Sequence, residues 1–187
     1  MKNKTLKTLF IINGIFVFAA SLLGPLYAVF AQGVDKDVFA ISFTWFAFLI
    51  STTLCLLMVG KYGDRVKRKN NLLLGGYLIR ALVWFAFPLA TSLPLLVFFQ
   101  ILLGAGEALG SPTYDAIFAE HLDRGKHIQE YTDWKLIYNL VSAVAVLAGG
   151  AVVTSYGFSA LFFLMGILAS VSFLGLLLRP REILQNT

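Results

Sequence analysis

The sequence Gly60-Lys61-Tyr62-Gly63-Asp64-Arg65-Val66-Lys67-Arg68-Lys69-Asn70 interrupts the chain between two long apolar runs, residues 38–59 and 72–89. Five of its eleven residues are Lys or Arg, whereas the runs on either side hold one charge between them, Arg80. A basic connection flanked by apolar stretches of about 20 residues is the pattern of two bilayer-spanning helices joined at a membrane surface. Neither run alternates with period two, so a barrel strand is not the reading. Inside hydrocarbon a helix satisfies its own backbone, so each run is expected to be helical.

The same pattern extends outward in both directions. Six stretches qualify as spans: about 8–30, 38–59, 72–89, 95–119, 136–155 and 159–178. The whole is expected to be one all-α, six-helix transmembrane domain over 1–187. Composition agrees. Of 187 residues 58% are hydrophobic and only 13% charged, about half the charged share of a soluble domain, and the mean hydropathy is +0.79. The first apolar run follows Lys2, Lys4 and Lys7, but it is too long for a signal-peptide core and ends without an A-x-A cleavage site, so it is read as a retained helix.

Orientation follows from the basic residues. Thirteen of the fifteen fall in the N-terminal segment, the 60–70 loop, the 120–135 loop or the C-terminal segment, all on one side of the six spans; Lys36 alone is opposite and Arg80 lies within a span. The positive-inside rule makes that side cytoplasmic, with both termini on it, in a multi-pass protein expected in the plasma membrane. The net charge of +5 is therefore topological, and no aromatic-interleaved basic surface suggests a nucleic-acid partner. The partners expected are the lipid bilayer and a small-molecule substrate.

Few residues offer chemistry. The one cysteine, Cys55, has no disulfide partner in the chain, and both histidines, His121 and His127, fall in one polar loop. No cofactor or metal is expected, and no enzyme. A six-helix serine protease needs a Gly-x-Ser-Gly nucleophile and an intramembrane histidine, and the sequence has neither.

An internal echo suggests a 3+3 inverted repeat. Gly24-Pro25-Leu26-Tyr27 recurs as Ser111-Pro112-Thr113-Tyr114, and Tyr62-Gly63 as Tyr156-Gly157, in matching order within two three-helix units.

The fourth span carries a polar stripe. Gln100, Gly104, Glu107, Ser111, Tyr114 and Asp115 fall within about 60° of one line along a helix. Such a stripe faces protein or water, not acyl chains. The first span has a weaker counterpart in Asn13, Val17, Ala20, Gly24 and Tyr27, and Asn139 opens the fifth. The expected substrate or proton pathway is Asn13, Tyr27, Gln100, Glu107, Ser111, Tyr114 and Asn139. Arg80 and Glu107 are the two deepest charges. Either they neutralise one another as an intramembrane ion pair, or Glu107 takes a proton or binds a cationic substrate; both readings stand. Gly106 with Gly110, and Gly149-Gly150, read as close helix packing.

The 60–70 loop resembles the signature that the major facilitator superfamily places between its second and third helices, glycine-x-x-x-aspartate-arginine-x-x-arginine-basic. Gln100–Gly106, Ser111-Pro112 and Ala119-Glu120 are similar to its fourth-helix pattern. The resemblance covers the N-terminal six-helix half of such a transporter. It implies a cytoplasmic gating loop of Gly60, Gly63, Asp64, Arg65 and Arg68, a cavity lined by helices 1, 2, 4 and 5 with 3 and 6 outward, and secondary active transport by alternating access. Gln100 stands where many members carry an arginine, and Ala145-Val146 where proton antiporters carry Gly-Pro, which argues against a drug–proton antiporter. A six-helix half has a face built for another half, so the chain is expected to act as a homodimer or with a separately encoded second half. The alternative is a non-transporting membrane protein: a truncated remnant, a receptor or an assembly subunit.

Overall fold

A computed structural model describes residues 4–66 and 69–178. Among them there is no strand. The helices are α1 (Lys4–Leu23), α2 (Leu26–Val34), α3 (Val38–Tyr62), α4 (Lys69–Ala86), α5 (Leu93–Glu120) and α6 (His127–Leu178), with single 3₁₀ turns at Gly63–Arg65 and Phe87–Leu89. Five of these are long and apolar enough to cross a bilayer.

Two breaks decide how the helices map onto spans. The first apolar stretch is not one rod: Gly24 adopts φ +27° and Pro25 follows, so α1 ends and α2 restarts two residues on. A proline has no N–H for the helix ladder and its ring displaces the preceding turn, which is the source of the offset. At the other extreme, α6 is 52 residues long, which as a straight rod would measure about 78 Å, far beyond a hydrocarbon core of about 30 Å. It is broken at Gly157, with φ 80° and ψ 175°, a region open in practice to glycine alone.

The contacts of α1 and α2 show that the chain reverses there. Phe10 meets Trp134 and Ser21 meets Ser142, so residues 127–156 run parallel to α1. Phe30 meets Phe162 and Ile12 lies near Gly175, so residues 158–178 run antiparallel to it. Six membrane-length segments thus alternate in direction. The first and last described residues lie at the same end of the bundle, together with the end of α5, through Phe10 and Phe118. An ion pair between Lys69 and Glu120 ties the start of α4 to that same end, here called the loop end.

Local chemistry sets the remaining boundaries. The Asp37 carboxylate accepts the Phe39 N–H at 3.0 Å and caps α3. Pro94 sits in the first turn of α5, where its missing N–H costs nothing. The last helix begins earlier than hydropathy alone would place it: α6 starts at His127, and Trp134 and Glu130 turn inward while Ile128 stays exposed. Glu130 accepts the Asp123 N–H at 2.8 Å, fixing the turn that precedes the helix.

Packing is dense at both ends and polar in the middle. Phe30, Phe87 and Phe162 cluster at the far end, with ring centroids 4.8–5.8 Å apart; Phe10, Phe118 and Trp134 cluster at the loop end. In lipid, apolar burial gives helices little reason to associate, so such van der Waals contact and close backbone approach carry the assembly. The outer surface, above all Phe39, Leu54 and Leu57 of α3, is apolar.

A polar centre with two cavities

The centre of the bundle is built where α4 crosses α5 at glycines. A Cβ added to Gly76 would stand 2.7 Å from the Gly106 carbonyl oxygen and 2.7 Å from the Gly110 nitrogen. The Gly106/Gly110 pair does bring helices together, as its spacing suggested, and it does something more. It clears a lane for the Arg80 side chain: a Cβ on Gly106 would meet Arg80 Cγ at 2.8 Å, and one on Gly110 would meet Nη2 at 2.6 Å.

Along that lane the guanidinium is held on three sides. Its Nε donates to the Gly76 carbonyl at 3.3 Å, its Nη1 donates to Glu107 Oε2, and its plane lies 4.2 Å from the centroid of the Phe16 ring. Phe16 in turn stacks on Tyr77 at 4.2 Å, and Tyr77 donates to Asn13 Oδ1 at 2.6 Å. A guanidinium in this setting needs such company, since an unpaired charge at mid-membrane costs several kcal/mol. The two partners differ in access. The Arg80 side chain is 11% exposed and the Glu107 side chain 34%, so the carboxylate is the wetter half of the pair.

Two cavities meet at this pair. One, of about 270 Å³, opens toward the loop end between α1, α4, α5 and α6; Asn13, Ser111, Tyr114, Asp115 and Lys135 line it. The other, of about 220 Å³, lies toward the far end and is lined by Tyr27, Trp45 and Gln100. Ala20, Arg80 and Glu107 belong to both. The charges around the first cavity balance, Arg80 and Lys135 against Glu107 and Asp115.

Most of the residues singled out from the sequence gather here. Asn13, Glu107, Ser111 and Tyr114 line the first cavity, and Tyr27, Gln100 and Glu107 the second. The Tyr114 hydroxyl is buried beside the first cavity, which Asn13 also lines. Tyr27 hydrogen-bonds to Thr44, whose own hydroxyl donates to the Ile41 carbonyl at 2.6 Å, leaving the tyrosine to donate. Asn139 is the exception. It is exposed on α6 and lines neither cavity; on α6 the first cavity is lined by Trp134, Lys135 and Tyr138 instead.

The polar stripe on α5 divides in two. Gly104 is not cavity wall; a Cβ there would lie 2.6 Å from the Phe48 carbonyl, so it serves the contact with α3, where Ser51 donates to the Ile101 carbonyl at 2.7 Å. The third span was expected to face outward, yet α4 sends Tyr77 and Arg80 into the centre while Leu78 and Leu82 point out. Periodicity offered one signal for Tyr77: it precedes Arg80 by about one turn.

Of the loop residues, Gly60 and Gly63 flank a small cavity of about 170 Å³ against Pro112 and Thr113 of α5. Asp64 and Arg65 lie in the 3₁₀ turn, with the Arg65 guanidinium 5.6 Å from the Tyr62 ring centroid. Arg68 lies outside the described residues, as do Lys67, Arg179 and Arg181.

The sequence matches the Major Facilitator Superfamily over residues 9–186. It is also similar to a protein of Bacillus subtilis (strain 168) described as an uncharacterized MFS-type transporter, YitZ, at 27% identity over 158 residues, covering 83% of this chain and 94% of that one. The chain is a multi-pass, all-helical membrane protein, and it belongs to the Major Facilitator Superfamily.

Proposed function

We propose that this chain is one six-helix half of a secondary active transporter in the plasma membrane, with both termini cytoplasmic. In this reading it moves a small solute by alternating access, paired either with a second copy of itself or with a separately encoded half. The observation that carries it is the Arg80–Glu107 pair at mid-bundle with a cavity on either side. The partners are unequally exposed, 11% for Arg80 and 34% for Glu107, so the carboxylate stays within reach of whatever enters the cavities. A pair reached by one cavity from each end of the bundle is placed to let solute contact it from either side of the membrane.

Packing supports a 3+3 arrangement as well. α1 packs on both arms of α6, and α5 packs on α3 and α4, as two three-helix units exchanging their first members would. With an even number of spans, two halves side by side share one orientation, so a second half can close the wet seam.

Single cysteines test the pathway, one in each cavity, in a Cys55→Ser background in proteoliposomes. Ser111→Cys should react with a membrane-impermeant maleimide from the loop side, and Gln100→Cys from the opposite side. If both are inert in lipid, with the chain folded, no water reaches the centre and the transporter reading fails.

A further inference from the structure

On the outside of the bundle, α1 and the two arms of α6 enclose a cavity of about 680 Å³ that is open along its length and belongs to neither chamber at the ion pair. Its walls are Phe10, Gly14 and Phe18 of α1, with Val141 and Leu168 of α6; the sole charged residue among its lining is Lys7, exposed at the loop end. Gly14 leaves the middle of the wall bare: a Cβ at that position would have nothing within 4 Å.

Three features fit one occupant. The groove runs from Lys7 to Phe18 of α1, about 16 Å at 1.5 Å per residue, which is the depth of one leaflet of a hydrocarbon core about 30 Å thick. Its lining is apolar except at the mouth, where Lys7 supplies a cation at the loop end. It also lies on a different side of α1 from the wet seam: the groove residues centre about 105° around the helix from Asn13, Val17, Ala20 and Ser21. A second half seated over the seam, as proposed above and on which this point rests, leaves the groove to the bilayer.

We propose that this groove is a phospholipid site, in which an acyl chain lies between α1 and the arms of α6 and an anionic headgroup is received by Lys7. A chain seated there fills the groove that the first span and the last two leave between them on the outside of the bundle. Lys7 gives the site its preference for anionic over zwitterionic lipid, a contribution of about fivefold from one basic residue near a membrane surface.

The full chain, delipidated in mild detergent, is titrated with phosphatidylglycerol or with phosphatidylcholine of the same acyl chains, and retained lipid is counted by native mass spectrometry. Phosphatidylglycerol should be retained about fivefold more tightly. Lys7→Gln should remove that difference while leaving phosphatidylcholine retention as it was. Gly14→Leu should weaken retention of both lipids, and Gly14→Ala, a milder filling, should do so to a smaller degree with the fold intact by thermal unfolding. Equal retention of the two lipids by the unsubstituted chain overturns the proposal. So does full retention in Gly14→Leu, and so does a Gly14→Leu chain that loses an oligomer instead of lipid, which would make a second copy the occupant. Lipid counts are repeated on Glu107→Gln, where they should be unchanged whether or not the cavities at residue 107 carry solute, so failure of the lipid site is told apart from failure of the transporter reading.

Discussion

The Arg80 side chain crosses α5 over Gly110, so closely that a β-carbon on Gly110 would stand 2.6 Å from the guanidinium Nη2. The ion pair with Glu107 therefore depends on a cavity-wall residue that has neither charge nor side chain. Gly110→Ala should displace the guanidinium from Glu107 Oε2. Overpacking of this kind costs about 1–3 kcal/mol, visible as a lowered unfolding temperature in mild detergent. Gly14→Ala, where a Cβ has nothing within 4 Å, should leave that temperature nearly unchanged, so the comparison separates the lane from a general effect of adding methyls.

The pair itself is tested by removing one partner and then both. Arg80→Met alone leaves the Glu107 carboxylate without its cation inside the bundle, and Glu107→Leu alone leaves a guanidinium 11% exposed with no counter-charge. Each should cost about 3–5 kcal/mol, less for Arg80→Met because Glu107 reaches water through its cavity. The double variant Arg80→Met/Glu107→Leu should recover most of the lost stability, since apolar replacement of a buried pair is often neutral. If it also recovers solute movement, the pair is structural only.

How much of this could be read from the sequence varies by feature. A bundle of membrane-length apolar helices was legible because hydrocarbon thickness leaves few alternatives for runs of about 20 apolar residues. The depth of Arg80 and Glu107 was legible for the same reason, since charges in apolar runs stand out. Which face α4 turns inward was not, because a single arginine on an otherwise apolar helix gives no stripe to orient it. Gly104 and Glu107 looked alike as members of one polar line, and only the neighbouring helices separate them: α3 lies against the glycine, and the two cavities against the carboxylate. The start of α6 at His127 was hidden because hydropathy marks where lipid begins and not where a helix begins.

Tyr77 links α4 to α1 by a buried hydrogen bond to Asn13 at 2.6 Å, and its ring stacks on the same Phe16 that faces Arg80. Tyr77→Phe keeps the ring and removes the donor. A buried acceptor left unsatisfied costs about 1–3 kcal/mol, but Asn13 lines a cavity that water can enter, so the lower end of that range is expected. Asn13→Leu on the same background should add little further, and a double-mutant cycle by thermal unfolding measures the coupling. Fully additive costs would mean that the two residues do not share a bond.

Two glycines of α6 separate backbone strain from steric clash. At Gly157 a Cβ would meet nothing within 4 Å, yet φ is +80° and ψ 175°. Gly157→Ala should therefore destabilise through the backbone alone, by about 1–3 kcal/mol, and weaken the reversal between residues 127–156 and 158–178. At Gly149 no positive φ is present, but a Cβ would lie 2.0 Å from the Leu22 carbonyl oxygen. Gly149→Ala should force α1 and α6 apart, and because both helices wall the polar centre, the shift should reach the Ser21–Ser142 bond at 3.0 Å. A disulfide formed between Ser21→Cys and Ser142→Cys, in the Cys55→Ser background, reports that spacing. Its yield should fall sharply with Gly149→Ala and change little with Gly157→Ala. Equal loss in both would mean that the reversal, and not the α1–α6 crossing, sets the distance between the two serines.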